Sequence, residues 1–490
     1  MAVRHAVTWP APAGDPADEP SPARPPQPTA LAPQQPRWDR RLVRELRVQA
    51  SEALAQAERD RRLSAADRDL FTTSLLRKEV VGRWVDEQLR LGQTIPTDDE
   101  EQQLVELLRD HLTGLGDLQT YVDAPRFDLV ETISIKGCDP ILLRHADGRV
   151  LEYPPIVDSD DELIELIQHW ARHLGNTPRI FSVAHPMLDM QVAGGHRLSA
   201  AMHTTARPVA TLRRHRFVDV TLDDLYDLGT VDQRLHAFLT ACTNSGKRLW
   251  FTGEMNSGKT TNLRAVANTI HPDRRIVTLE TEFELGLDTL RHRHRDVEAY
   301  EEIQPNSEGV GGIDLQTLTV KLLRKNADWI IVGEVRGAEV VPMLQAVSAG
   351  KKAMTTLHAA TPKAVFDRVA ALAGWGGLAE TTAYRMLAQS VDFIVHSQLI
   401  DGTGPTDPPR RVITHVVEVL PVGETGIPAT NTVFAPDETG RAAPTGALRC
   451  LDDLVAGGLD PGVLSQPGRW VNTPTRRVLA SRPAPTGRES

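Results

Sequence analysis

The spacing of apolar residues changes four times along this chain of 490 residues. Residues 1–36 carry no periodic apolar pattern. Proline and alanine dominate them, with ten of the chain's 34 prolines. Such a stretch has too little apolar surface to offset the entropy of ordering, so it is expected to be disordered. From Arg37 onward apolar residues recur at helical spacing among charges: Leu42, Val43 and Leu46, then Leu75, Leu76, Val80, Trp84 and Val85, then Leu104, Leu107, Leu108 and Leu112. Gly114 and Gly116 follow the last set, where a helix C-terminus favours glycine. Residues 37–113 read as a helical region.

Between 114 and 217 short apolar runs alternate with turn signals. Ile133 and Ile135 precede Gly137, and Leu142 and Leu143 precede Asp147-Gly148, a good hairpin turn. Residues 160–174 have Leu163, Ile164 and Ile167 on one helical face, and strands are expected at 187–192 and 209–212. This is the pattern of a small α+β domain. From 218 to 420 the rhythm becomes strand, loop, helix, with strand candidates at 249–252, 276–279, 329–332, 353–357 and 393–396, and a late strand at 411–420. Alternation of this kind implies an α/β domain, a mostly parallel sheet covered by helices. Residues 421–490 form a C-terminal extension whose end is rich in Pro, Arg and Ser.

The net charge of −10 is opposite in sign to that of a global nucleic-acid binder, which makes direct nucleic-acid binding an unfavoured expectation. The run Arg291-His292-Arg293-His294-Arg295 is locally basic and reads as a solvated face. Cys138, Cys242 and Cys450 are far apart and form no CxxC pair, which argues against a disulfide framework or a zinc site and fits a reducing cytoplasm. There is no apolar signal-like segment at the N-terminus and no apolar run of spanning length. Work at a membrane would then be through partners.

The sharpest chemical signal is Gly253-Glu254-Met255-Asn256-Ser257-Gly258-Lys259-Thr260, a full GxxxxGK[ST] match between an expected strand and an expected helix running from Thr260 to about Ile270. Glycines let backbone N–H groups curl around phosphate oxygens, and the helix N-terminus adds partial positive charge. Lys259 can reach the β and γ phosphates and the Thr260 hydroxyl can bind Mg²⁺. The candidate nucleotide-binding set is Gly253, Asn256, Ser257, Gly258, Lys259, Thr260 and Thr261. Just upstream, Ser245-Gly246-Lys247 imitates the motif but precedes a strand, so Lys247 reads as a surface lysine. A phosphate loop alone does not separate a kinase from a motor.

Three later segments bear on that choice. Residues 276–285 end a strand in Glu280, Glu282 and Glu284, where an α/β sheet places its ligand. Residues 330–337 end another strand in Glu334, followed by Arg336, so that one carboxylate is placed to orient water. Residues 353–359 carry His358 at the end of a third. Taken singly, each has a bland reading: a solvated acidic edge, a surface ion pair of little worth, a structural histidine.

Taken in order, the set resembles the type II/type IV secretion ATPases, which carry a Walker A loop, an acidic "Asp box", a Walker B strand ending in Gly-Glu-hydrophobic-Arg, and a "His box" with Thr-Leu-His-Ala. Residues 253–260, 280–284, 330–336 and 356–359 match these. Gly114-Leu115-Gly116-Asp117-Leu118, Gly194-Gly195-His196-Arg197-Leu198, Leu212-Arg213-Arg214 and Leu222-Asp223-Asp224-Leu225 are similar to further family segments, so the resemblance covers about 100–420. It implies a RecA-like P-loop NTPase domain preceded by a small α+β domain and the helical region. It also implies ATP and Mg²⁺ as cofactors, with Thr260 at the metal and Glu280, Glu282 or Glu284 as the candidate carboxylate beside it. Glu334 would be the catalytic glutamate, Glu280 and Glu284 would help with metal and water, and His358 would sense the γ-phosphate. Arg197 and Arg213 would reach the nucleotide from the α+β domain, which a linker near 217–221 would let move.

The implied partners are copies of the chain in a homo-oligomer, a hexamer by resemblance, and an integral-membrane platform of a pilus or secretion system. The implied location is cytoplasmic, peripheral at the inner face of the plasma membrane through partners. Thr281 stands where the family has Asp, Ala327-Asp328 where it favours Pro-Asp, and Gly350-Lys351 where it has Gly-His. These departures mark a divergent subgroup, and the lack of a four-cysteine module argues against the type II secretion branch. Two rivals stand beside the motor: a nucleic-acid translocase on the same core, and a nucleotide-binding assembly protein without hydrolysis.

Overall fold

The structure is a computed structural model. It describes residues 38–465 apart from 61–70, 175–178, 193–194, 215–218, 304–309, 323, 403–408, 425 and 447. The expected tails, Gly194 and most of the 217–221 linker's start lie outside the described residues.

The helical region contains helices Arg40–Asp60, Gly82–Arg90 and Asp98–Thr113, with a π-helical segment at Leu76–Val81. Thr97 starts the third through a capping box: its side chain accepts from the Glu100 N–H while Glu100 returns a bond to the Thr97 N–H. The apolar positions read from the sequence meet in a core of their own, including Leu46, Leu76, Val80, Leu104 and Leu108. Arg40 and Arg44 dock this unit on the next through Asp158 and Glu162.

The middle unit is a six-stranded sheet of β1 (Val130–Lys136), β2 (Ile141–His145), β3 (Val150–Tyr153), β4 (Met187–Val192), β5 (His196–Ala201) and β6 (Val209–Arg213). Its order is β3-β2-β1-β6-β5-β4, and every pairing is antiparallel. Asp147-Gly148 turns β2 into β3, with Gly148 at φ 85°, a left-handed value that glycine meets without cost. Helix Asp160–His173 covers one face with Leu163, Ile167 and Trp170.

The third unit is an α/β domain. Its strands are β7 (Leu249–Gly253), β8 (Arg275–Glu280), β9 (Asp296–Glu301), β10 (Trp329–Val332), β11 (Lys352–His358), β12 (Phe393–Ile400), β13 (Arg410–Val422), β14 (Pro428–Pro436) and β15 (Ala442–Pro444). Among the described residues the order is β15-β14-β13-β12-β7-β11-β10-β8-β9. The stretch from β12 to β9 is parallel, and β13 to β15 add an antiparallel edge. Alternate residues serve opposite faces: Phe251, Ile276, Ile331 and Met354 enter one core, while Trp250, Val277, Ile330 and Ala353 enter the other. Burial on both faces is why these strands read as continuous apolar runs. The register aligns their carboxyl ends, with His358 opposite Gly253 and Val332 opposite both Leu279 and Thr355.

One sequence expectation changes. Lys247 is not a free surface lysine: its side chain is 12% exposed and pairs with Asp453 at 2.5 Å, tying the C-terminal helix Leu451–Ala456 to the end of helix Gln233–Asn244. The basic run 291–295 keeps the solvated face expected of it: Arg291, His292 and Arg295 are exposed. Arg293 and His292 bind Asp219, Arg295 meets Asp273 at the surface, and His294 is buried against Asn268. No helix among the described residues is long and apolar enough to cross a membrane.

Candidate nucleotide site

The loop after β7 is shaped by glycine where no other residue fits. Gly253 has φ 146°, and a Cβ there would lie 2.2 Å from the Ser397 carbonyl oxygen. Gly258, at φ 88°, opens helix Lys259–Ala267. Ser257 Oγ donates to the Glu254 carbonyl at 2.9 Å, folding the loop back on itself. Lys259 Nζ donates to the same carbonyl at 2.6 Å and lies 3.2 Å from His358 Nδ1. Burial holds the Lys259 ammonium down to about 8.

His358 ends β11 and continues the chain of contacts. Its Nε2 is 2.9 Å from Glu334 Oε1, and the other carboxylate oxygen accepts from Arg336 at 2.6 Å. A neutral imidazole with the proton on Nε2 serves both neighbours, donating to Glu334 and accepting from Lys259. Burial would raise the Glu334 carboxyl, but the hydrogen bonds from His358 and Arg336 outweigh it and bring it down to about 2. Glu334 is therefore ionised across the physiological range.

The acidic segment after β8 splits in two. Glu280 is buried, and its Oε2 accepts the N–H groups of Glu284 at 2.7 Å and Leu285 at 2.8 Å. Gly333 leaves room for it: a Cβ there would lie 3.0 Å from Glu280 Cγ. Burial pushes the Glu280 carboxyl up to about 7 against the pull of those backbone bonds. Glu280 thus clasps the loop, and Glu284 is the carboxylate of this segment that the loop turns into the cavity.

The middle domain supplies the opposite wall. Arg197 on β5 and Arg213 on β6 are directly paired in register. Arg197 binds Glu282 at 2.5 Å and Glu284 at 2.8 Å. Arg213 and Arg214 also line the cavity, and the buried Arg214 guanidinium donates to the carbonyls of Phe127 and Val122. The cavity between the domains is about 560 Å³ and brings together Asn256, Gly258, Lys259, Thr260, Thr261, Glu284, Glu334, His358, Arg197 and Arg213. Gly253 and Ser257 shape the loop beneath it.

This segment order and geometry agree with the family comparison. A family model described as "Type II/IV secretion system protein" matches residues 191–419. A Mycobacterium tuberculosis protein provisionally named for conjugal transfer is 30% identical over 309 residues, 61% of this chain and 84% of that protein. The chain belongs to the type II/IV secretion ATPase family. "Protein VirB11" of Agrobacterium fabrum is 32% identical over 166 residues, 33% of this chain and 46% of its own. Among solved structures, the Legionella pneumophila ATPase DotB is 18% identical, covering 63% of this chain and 81% of that chain with a TM-score of 0.44. With its phosphate loop after β7 in the middle of a parallel sheet, the α/β domain of this secretion ATPase family member is RecA-like.

Several charged groups of this family member escaped the sequence reading. Arg411, at the start of β13, donates from Nε to the Asn256 carbonyl at 2.9 Å and pairs with Glu131 of β1 at 2.9 Å. It couples the phosphate loop to the middle domain. Arg264, one turn along the helix from Thr260, is buried beside Glu280 and Glu284 and also lines the cavity. Arg441 reaches the cavity from the turn between β14 and β15. Their partners lie far away in the chain, so no local pattern marks them. As for metal, the described residues hold no group of three His, Cys, Asp or Glu side chains able to bind an ion alone. The Thr260 hydroxyl and the carboxylates of Glu284 and Glu334 line the same cavity, a hard-oxygen set that suits Mg²⁺ shared with phosphate oxygens.

Proposed function

We propose that this family member is an ATP-hydrolysing motor that drives pilus assembly or type IV secretion through a membrane platform. One observation carries the reading: Lys259, Glu334, His358 and Glu284 from the α/β domain share a single cavity with Arg197 and Arg213 from the middle domain. A ligand filling it touches both bodies, so its binding and cleavage would be felt as relative domain motion.

In this reading the loop N–H groups and Lys259 grip the β and γ phosphates. Thr260, with Glu284 or Glu334, would hold Mg²⁺, which when bound spreads phosphate charge. Glu334, kept ionised, orients the attacking water. His358 lies between Lys259 and Glu334, so a phosphate that draws Lys259 toward itself alters the imidazole's contact with Glu334. Arg197 and Arg213 meet the charge that builds on the transferred group. Thr281 at the family's Asp position is tolerated because Glu284 already faces the cavity. The proposed assembly is a homo-oligomeric ring, a hexamer by family resemblance, at the cytoplasmic face of the inner membrane.

The net charge of −10 weighs against the nucleic-acid translocase, although the relative named for conjugal transfer keeps DNA among the cargoes such a motor could serve. The test is nucleotide binding with a fluorescent ATP analogue alongside phosphate release. Wild type should bind and turn over, and Lys259→Ala should lose binding. Binding without any turnover in wild type would replace the motor with the non-hydrolysing assembly protein.

A further inference from the structure

The phosphate loop sets the direction in which a nucleotide must lie. Lys259 and Thr260 take the β and γ phosphates at one end, so the sugar and base extend toward the other. In the sheet order, Glu334 and Glu284 follow β10 and β8 on one side of β7, while β13 to β15 lie on the other. There the cavity is lined by Val412 of β13 and Arg441, with Thr230 and with Leu225 and Leu228, on and just after helix Leu222–Asp227. Arg441 lies in the C-terminal extension, past the end of the segment matched by the family model at residue 419.

Its placement is built. The chain reverses between β14 and β15 through a bond from the Asp437 N–H to the Arg441 carbonyl at 2.9 Å, and Asp437 Oδ1 also accepts from the Thr439 N–H at 2.8 Å. Gly440 takes a left-handed φ of 77° to complete the turn. The guanidinium is then fixed by an Nε bond to the Gly229 carbonyl at 3.1 Å. A second tie holds the same corner, from Thr230 Oγ1 to the Arg411 carbonyl at 3.1 Å. A planar guanidinium anchored through Nε beside two leucines offers a heterocycle both apolar contact and a stacking or hydrogen-bonding cation.

We infer that Arg441 is a specificity residue of the nucleotide site, reaching back from the C-terminal extension to contact the sugar and base of the bound nucleotide. This rests on the reading of the cavity as an ATP site. It gives β14 and β15 a role: they close the base end of the cavity from outside the family's common core.

The test compares two ligands on the full chain, MgATP and Mg-tripolyphosphate, the second having the phosphates without sugar or base. Arg441→Ala should weaken MgATP binding on the order of tenfold and leave tripolyphosphate binding unchanged, while Lys259→Ala should weaken both. Arg441→Lys, which keeps the charge and loses the planar fork, should fall between and serves if the alanine variant loses its melting transition. Equal losses for both ligands in Arg441→Ala, or no loss for ATP, would overturn the assignment. Wild type binding neither ligand would instead remove the nucleotide reading beneath it.

Discussion

Arg197 on β5 lies 2.8 Å from Glu284, across the boundary between the middle domain and the RecA-like domain. The pair joins the one arginine that the α+β hairpin presents to the acidic loop with the one carboxylate that this loop presents to the cavity. Both side chains are about a quarter exposed, so the pair itself adds little to stability, about 1 kcal/mol or less. In the proposed mechanism its weight is in catalysis. Arg197→Ala should leave the melting temperature nearly unchanged and lower the rate of phosphate release about 10²-fold. A variant with wild-type turnover would take Arg197 out of the site.

Glu280 and Glu284 are close in sequence but should behave oppositely. Glu280 holds two backbone N–H groups in the interior, and removing its carboxylate leaves them unsatisfied. Glu280→Ala should therefore cost about 1–3 kcal/mol in urea unfolding. Glu284→Gln should keep stability and lose turnover. Equal stability losses in both variants would contradict this division.

Arg411 makes a second bridge between the domains, through Glu131 and the Asn256 carbonyl. If it couples loop and middle domain, Arg411→Ala and Glu131→Gln will not be additive. A double-mutant cycle on ATP affinity should give a coupling of about 1 kcal/mol. Strict additivity would reduce the bridge to a surface contact.

Stability should fall on mild acidification. Burial holds His169, His196, His294 and His396 down to about 4 each. The unfolded chain takes up these protons near 6.5, so the stability they contribute is present above that pH and is lost as pH falls toward 4. Glu280, raised to about 7, acts the other way, because its folded form is protonated first. Burial also lowers His415 and raises Glu301 and Asp110, so the histidines outnumber the raised carboxyls; the urea midpoint should drop between pH 7 and pH 5, and drop more steeply in Glu280→Gln. A midpoint that rises toward pH 5 would contradict the burial of these histidines as neutral groups.

The parallel sheet was legible because burial on both faces writes itself as short apolar runs, and β7, β8, β10, β11 and β12 each begin within a residue of the expected position. The phosphate loop was legible because its glycines answer a local steric demand, visible at Gly253 and Gly258. What escaped depends on distant partners. The contact from Arg411 to the loop spans 155 positions and that from Arg441 to Gly229 spans 212. The pairing of Arg293 with Asp219, 74 positions away, is likewise invisible in the run 291–295 itself. The inward turn of Glu280 follows from the space left by Gly333, which no reading of 276–285 alone contains.

The account stands on Glu334 as the group that turns bound ATP into hydrolysed ATP, and a single-turnover measurement on Glu334→Gln reaches it most directly. The variant should bind MgATP as wild type does and cleave it at least about 10²-fold more slowly. Cleavage at the wild-type rate by a variant that binds normally would contradict the account.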